Sequence, residues 1–383
     1  MDKKNKNPNV PNLRFNNDPY KKYNLYEFAT RVTRKNKDNV SNLPLTISAQ
    51  YGLVDQVSFF NKTVASKDMS GYYLLKNGEF AYNKSYSNDY PWGAIKRLDL
   101  YDMGCLSTLY ICFKTNDNIV NSNYLVHYFE SSKWHKQVAD IAGEGARNHG
   151  LLNIVVNDFF NTKHAVPTIE NQIKIAGFLD LIEKRIQTQI KIINDYKILK
   201  NHIIKSFIKQ NGTSYLLLEI AELGRGRVIN SAEISKQKNP IYPVYSSQTS
   251  NNGIMGYLDN YDYEGEYITW TTDGANAGTV YYRNGKFNCT NVCGILKIKN
   301  GYDAYYISNI LNCYTKKYVS TNLANPKLMN NVMANIKINL PSIEQQKHSS
   351  KILQSIEYRV EIEEDIKLNL VKQKAFLLKN MFI

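Results

Sequence analysis

The sequence predicts an α+β protein in which two mixed α/β or β-rich globules alternate with two long helices. Three observations carry this. The stretch VPTIENQIKIAGFLD at 166–180 is answered, 174 positions later, by LPSIEQQKHSSKILQ at 340–354. Aligned without gaps, 166–208 and 340–382 share Pro167 with Pro341, Glu170 with Glu344, Gln172 with Gln346, Glu183 with Glu357 and Lys200 with Lys374, so the chain contains a duplication. Between these segments the text turns rich in Tyr, Asn and Gly, with short β-prone runs such as LSTLYICFK and NVCGILKIK.

The first globule, 1–165, opens on MDKKNKNPNVPNLRF, a polar, basic arm without the apolar core of a secretory signal. NNDPY at 16–20 resembles the Asn-Pro-Pro-Tyr loop of amino-methyltransferases, but the second proline and a Gly-rich cofactor turn are missing, and it reads as a chain reversal. In 166–208, Pro167 suits a first helical turn, Thr168 can cap it, and no further proline interrupts. Ile175, Leu179, Ile182, Ile186, Gln189 and Ile193 then step by four and three, the spacing of a coiled-coil seam, with Gln189 putting a polar side chain near the midpoint. The second globule, 209–339, echoes the first: LLLEIA at 216–221 answers NLYEFA at 24–29, and YEGEYIT at 263–269 answers KNGEFAY at 76–82. The last segment, 340–383, repeats the helix with Ser342 as cap and a more polar seam through Ser349, Leu353, Ile356, Val360, Glu363 and Leu370.

At 383 residues the chain is long enough for two or three domains with separate cores. No apolar run reaches the roughly 20 uncharged residues of a bilayer span, so a soluble, cytoplasmic protein is expected. The five cysteines are sparse and lack a metal-site spacing, which predicts reduced thiols. The six histidines form no metal pair and no hydrolytic triad, and GRGR at 224–227 lacks the Gly-Lys-Ser/Thr of a nucleotide loop, so it reads as an ordinary loop. A net charge of +14, most of it on the globules, favours a polyanionic partner, since basic side chains gain by releasing counterions from phosphates.

Polar loops supply the candidate contacts to DNA. WTTDGANAGTVYYRNGKF at 270–287 combines a tight turn with Thr271, Thr272, Asp273 and Asn276 for base edges, Tyr282 beside them, and Arg283 and Lys286 for guanine or phosphate. A plain strand-turn-strand with its aromatics in the core explains the same residues. Ser247, Gln248 and Thr249 form a second polar cluster. In the first globule the comparable places are Lys84, Ser85, Tyr86 and Asn88, Lys96 and Arg97, and Arg147 with Asn148.

Two globules, each followed by a helix opening on Pro-x-Ile-Glu-x-Gln (VPTIENQ at 166–172, LPSIEQQ at 340–346), resemble the specificity subunit of type I restriction-modification systems. The resemblance covers the whole chain and implies that 1–165 and 209–339 are target-recognition domains. The segments 166–208 and 340–383 would be spacer helices, forming an antiparallel coiled coil with a pseudo-twofold repeat. Their candidate helix-helix or partner contacts are Glu170, Gln172, Ile182, Ile186, Gln189, Ile193, Glu344, Gln346, Ile356, Val360, Glu363 and Leu370. It further implies a non-catalytic, sequence-specific subunit that binds double-stranded DNA at a bipartite target and holds no cofactor or metal. Two modification subunits carrying S-adenosylmethionine would methylate adenine, and restriction subunits, where present, would add cleavage driven by ATP and Mg. The competing reading is a coiled-coil adaptor with two protein-binding modules, which has no reason for steeply salt-dependent DNA binding. A third, a self-sufficient methyltransferase or nuclease, requires a cofactor turn that the sequence does not contain.

Overall fold

A computed structural model describes residues 11–16, 18–48, 50–87, 90–143, 150–320 and 325–383. The chain divides into two compact units, Met1–Gln189 with Ile366–Ile383, and Ile190–Asp365. Each unit holds one globule and a stretch of both long helices, Ile169–Ile208 and Ile343–Met381. No helix among the described residues is long and apolar enough to cross a membrane.

In the first unit a four-stranded sheet runs in the order Ala29–Arg31, Ile111–Thr115, Phe80–Asn83, Ala94–Arg97, antiparallel throughout. Aromatic side chains fill the space behind it: Phe80 stacks on Phe113 with centroids 5.3 Å apart, and Tyr82 on Phe159 at 5.0 Å. Ile175, Leu179, Ile182 and Ile186 of the first long helix and Leu370, Leu377 and Met381 of the second close the same core. Two further antiparallel pairs, Leu45–Ser48 with Gly52–Asp55 and Tyr73–Lys76 with Met103–Leu106, are additions specific to this globule.

In the second unit the sheet is six-stranded, in the order Ala221–Arg225, Cys293–Ile298, Tyr263–Thr271, Val280–Cys289, Tyr242–Tyr245, Ile254–Leu258. Its first four strands repeat the arrangement of the first globule, in which the first, fourth, second and third strands in chain order lie side by side. The echoes between NLYEFA and LLLEIA, and between KNGEFAY and YEGEYIT, fall on equivalent elements. Glu27 and Glu219 each accept from the backbone N–H three residues earlier, at 2.6 and 2.7 Å, and so start the short helices Leu25–Phe28 and Leu217–Ile220. Trp270, Ile268, Leu296, Tyr306 and Ile310 form the core, joined by Ile204 and Leu353 from the long helices. Gly294 is required there, because a Cβ would lie 2.2 Å from the Trp270 ring.

The helix seam follows the four-three spacing. Ile175, Leu179, Ile182, Ile186, Gln189 and Ile193 are all buried, as are Ser349, Leu353, Glu363 and Leu370, with Ile356 and Val360 half-buried. Glu363 is ion-paired with Arg359 one turn earlier at 2.7 Å. Within the second unit Lys197 pairs with Glu364 at 2.7 Å and Lys200 with Glu357 at 3.3 Å, so partner numbers fall as the first helix advances and the helices run antiparallel. The first unit holds the reciprocal pair, Glu183 with Lys374 at 2.7 Å.

Candidate nucleic-acid interface

The two polar loops expected in the second globule come together. After the strand Tyr263–Thr271 the chain turns tightly: the Thr271 hydroxyl donates to the Asn276 carbonyl and accepts from the Thr279 N–H at 3.1 Å, while Gly278 N–H donates to the Thr271 carbonyl at 2.8 Å. The Thr272 hydroxyl donates to the Val292 carbonyl at 2.8 Å, and Asp273 faces Lys327 at 3.4 Å. The amide of Asn276 donates to Thr249 Oγ1 at 3.0 Å, joining this turn to the loop 246–253. In that loop Ser247 donates to the Val292 carbonyl and Gln248 to the Ile254 carbonyl. The exposed rim carries Asn251, Asn252, Asn276, Lys316 and Lys317.

Several expected contacts point elsewhere. Thr271, Thr272 and Arg283 are 1%, 0% and 5% exposed and are bonded within the domain, where they hold the loops from below. Tyr282 lies in mid-strand with its hydroxyl on Glu266. Lys286, exposed beside Glu264 at 3.7 Å, sits at the other end of the same hairpin, six residue pairs from the turn and roughly 20 Å away at about 3.4 Å per residue. Asn251, Asn252, Lys316 and Lys317 were not singled out from sequence. The two Asn follow closely on the cluster Ser247, Gln248 and Thr249 in the run SSQTSNNG at 246–253, and their left-handed φ of 48° and 51° is the kind of turn that an Asn-Asn-Gly run signals.

In the first globule, Lys84, Ser85 and Tyr86 run beside Gly150–Leu152: Ser85 bridges Leu151, Tyr86 N–H donates to the Gly150 carbonyl at 3.0 Å, and Leu152 N–H to the Lys84 carbonyl at 2.9 Å. Two separately identified segments therefore meet at their described edges, while Asn88, Arg147 and Asn148 lie outside the described residues. Lys96 and Arg97 are committed internally. Lys96 lies 3.7 Å from Glu130, and Arg97 donates to Asp99, Ser122 and Asn123 at 2.6, 2.8 and 2.7 Å. Asn16 and Asp18 of the NNDPY turn accept from the Asn171 amide at 2.7 and 3.0 Å, which ties the turn to the start of the first long helix. Arg227 of GRGR is likewise engaged, by Glu233 at 2.6 Å and Asp262 at 3.1 Å.

The signature glutamines have a shared geometry. Gln172 Oε1 accepts from Asn121 N–H at 2.7 Å, and its amide donates to the Pro167 carbonyl at 2.8 Å and the Ile119 carbonyl at 3.2 Å. Gln346 Oε1 accepts from Asp303 N–H at 3.1 Å and its amide donates to the Pro341 carbonyl at 2.9 Å. Asn121 and Asp303 are themselves the N-caps of helices Ser122–Glu130 and Ala304–Tyr314. Each glutamine thus bolts the start of a long helix to the start of a globule helix. Glu170 and Glu344, in contrast, are exposed, Glu170 pairing with Lys174 at 2.6 Å and Glu344 held below the usual carboxylate range by a backbone hydrogen bond at its helix start.

Beneath the first globule, Glu130, Glu183 and Lys374 form a half-buried ionic cluster, with Lys374 at 2.8 Å from Glu130. Burial alone would raise the Glu130 pKa, but the His127 hydrogen bond and the charges of Lys374 and Lys96 bring it down to about 2. Among the described residues no group of three or more His, Cys, Asp or Glu gathers in a way that could hold a metal ion.

Residues 213–373 match the family model of the type I restriction modification DNA specificity domain. The Mycoplasma pneumoniae protein bearing the name type I specificity subunit S.MpnORF615P is 36% identical over 217 residues, 54% of this chain and 83% of that relative. The S.MpnORF289P N-terminus of the same organism is 43% identical over 142 residues, 37% of this chain and 75% of that relative. In fold, the chain is similar to the crystal structure of the type I restriction-modification S subunit from M. genitalium, with a TM-score of 0.59 at 15% identity over 98% of this chain and 99% of that one. With relatives this similar over most of their own length, and with the signature repeated on two equivalent helix starts, the chain belongs to the family of type I restriction-modification specificity subunits.

Proposed function

We propose that this chain is the DNA-recognition subunit of its system, each globule reading one half of a split target while the helices fix the gap between the halves. The observation that carries the reading is the duplication itself: two globules with the same strand order, each bolted through Gln172 or Gln346 to a repeated helix. A helix of 40 residues is on the order of 60 Å long at ~1.5 Å per residue, a fixed ruler. In this reading the subunit contributes no catalytic residue and works in the cytoplasm on double-stranded DNA. Two modification subunits with S-adenosylmethionine methylate an adenine in each half, and restriction subunits contribute ATP- and Mg-dependent cleavage. Because the target base must leave the stack to be methylated, the recognition domains hold the flanking duplex meanwhile.

The test is to map methylated adenines in cells expressing the chain with its modification partner. A bipartite motif with a constant gap is expected, together with no transfer of labelled methyl groups by the purified chain alone. A continuous motif, or methyl transfer by the lone chain, would sink the proposal. DNA binding that barely responds to salt would favour the adaptor reading instead.

A further inference from the structure

Arg283 is 5% exposed, yet through the Asn252 carbonyl it contacts the loop 246–253, in which Asn251 and Asn252 are exposed. Its guanidinium carbon is 3.6 Å from the Tyr245 ring centroid and 4.4 Å from that of Tyr281, so the two rings bracket it. Nε donates to Thr269 Oγ1 at 3.2 Å and Nη2 donates to the Asn252 carbonyl at 2.9 Å. That carbonyl belongs to a run of three residues, Asn251, Asn252 and Gly253, with φ of 48°, 51° and 82°. Left-handed backbone at consecutive non-glycine positions persists only where the surroundings over-determine it. A charged donor on the central carbonyl is such a constraint, and a planar guanidinium between two rings is a rigid one. The same loop carries Thr249, the acceptor for Asn276, so the support extends to the second loop.

We propose that Arg283 is a positioning residue for sequence recognition: it contacts no base, and fixes the turn Asn251–Gly253 so that the exposed amides of Asn251, Asn252 and Asn276 meet base edges in the half-site of the second globule. This rests on the reading that the second globule recognises one half of a split target. An Asn amide that bonds an adenine edge in two places discriminates only if held within a fraction of an ångström, which a loop without internal support does not achieve. Lysine cannot substitute, because a flexible ammonium neither stacks between the rings nor donates in the same plane. Gly253 offers a second way to disturb the turn: its φ is +82°, and a Cβ there would lie 3.1 Å from Arg283 Nη2.

The experiment compares wild type with Arg283→Lys and Gly253→Ala, each as the full chain co-expressed with its modification partner, by genome-wide mapping of methylated adenines. Both variants are expected to keep the first half of the motif and the gap while losing discrimination about tenfold or more at positions of the second half. The salt slope of DNA binding is expected to stay unchanged, since no phosphate contact has been removed. An intact motif in both variants overturns the inference. So does uniformly weaker methylation with a shallower salt slope, the mark of a phosphate contact. If Arg283→Lys does not unfold cooperatively, Gly253→Ala decides alone. A wild-type map without a bipartite motif sinks the half-site reading and the inference with it, whereas a bipartite wild-type motif that the folded variants preserve sinks the inference only.

Discussion

Gln172 and Gln346 are 0% and 2% exposed, and each offers an acceptor and a donor group to backbone at the junction of helix and globule. Removing either side chain strands a part-buried N–H and a buried carbonyl, so Gln172→Ala and Gln346→Ala should each cost about 1–3 kcal/mol in chemical denaturation. Gln172→Glu should also destabilise, because a carboxylate keeps the acceptor and loses the donor. Unchanged unfolding midpoints would show that water replaces the amide at no cost. The repeated Gln was visible in the sequence, but its role was not, since its partners Asn121 and Asp303 lie 51 and 43 residues upstream and only the folded sheet brings them near. Arg283 failed in the opposite direction. Arginine in a polar, glycine-rich stretch is the chemistry of a DNA contact, and its burial was hidden because both faces of this strand are covered: Val280 joins the main core on one face, while Arg283 is buried on the other beside Tyr245, Tyr281 and Thr269.

Glu183 with Glu357, and Lys200 with Lys374, are matched positions of the duplication, and the helices exchange them: Glu183 holds Lys374 in the first unit and Glu357 is held by Lys200 in the second. This is what a repeated helix paired with its copy in antiparallel register produces. The identities were legible and the antiparallel direction followed from the resemblance, but the pairs themselves did not, because spacing along one helix does not say which positions of its neighbour stand opposite. The surroundings differ. Lys374 also meets Glu130, whereas Glu357 accepts from the Tyr305 hydroxyl. Reversing one charge in the second unit, Glu357→Lys, should cost about 1 kcal/mol, the order of an exposed pair, and the double variant with Lys200→Glu should recover most of it. In the first unit, Glu183→Lys with Lys374→Glu should recover little, because the new carboxylate at 374 would face Glu130 in a half-buried site. Double-mutant cycles on thermal or denaturant unfolding measure both. Equal recovery in the two units would mean that Glu130 contributes nothing to holding the second helix.

At the scale of the whole chain, the order of globule, helix, globule, helix was readable because long helices carry a periodic signal and a repeated signature marks their starts. The equivalence of the globules was only hinted at by echoes of six and seven residues, since the segments outside the four shared strands differ while those strands keep their order. The added strands, Leu45–Ser48 and Gly52–Asp55 in one globule and Tyr242–Tyr245 and Ile254–Leu258 in the other, have no counterpart that a comparison of the two halves could find. The second globule enters and leaves through one antiparallel ribbon, Thr213–Leu216 against Lys337–Leu340, with Thr213 opposite Leu340. Its two ends are therefore neighbours, and 209–339 can be exchanged for a related domain without interrupting either long helix, provided that the replacement packs on Ile204 and Leu353. If each globule reads its own half-site, methylation mapped in cells carrying the chimera and its modification partner should show a new sequence in one half. The other half and the gap should be unchanged, because the first globule and the helices that set the spacing are untouched. A change in both halves would mean that recognition is shared between the globules, and a change in the gap would mean that the globule, rather than the helix, sets where its half-site lies.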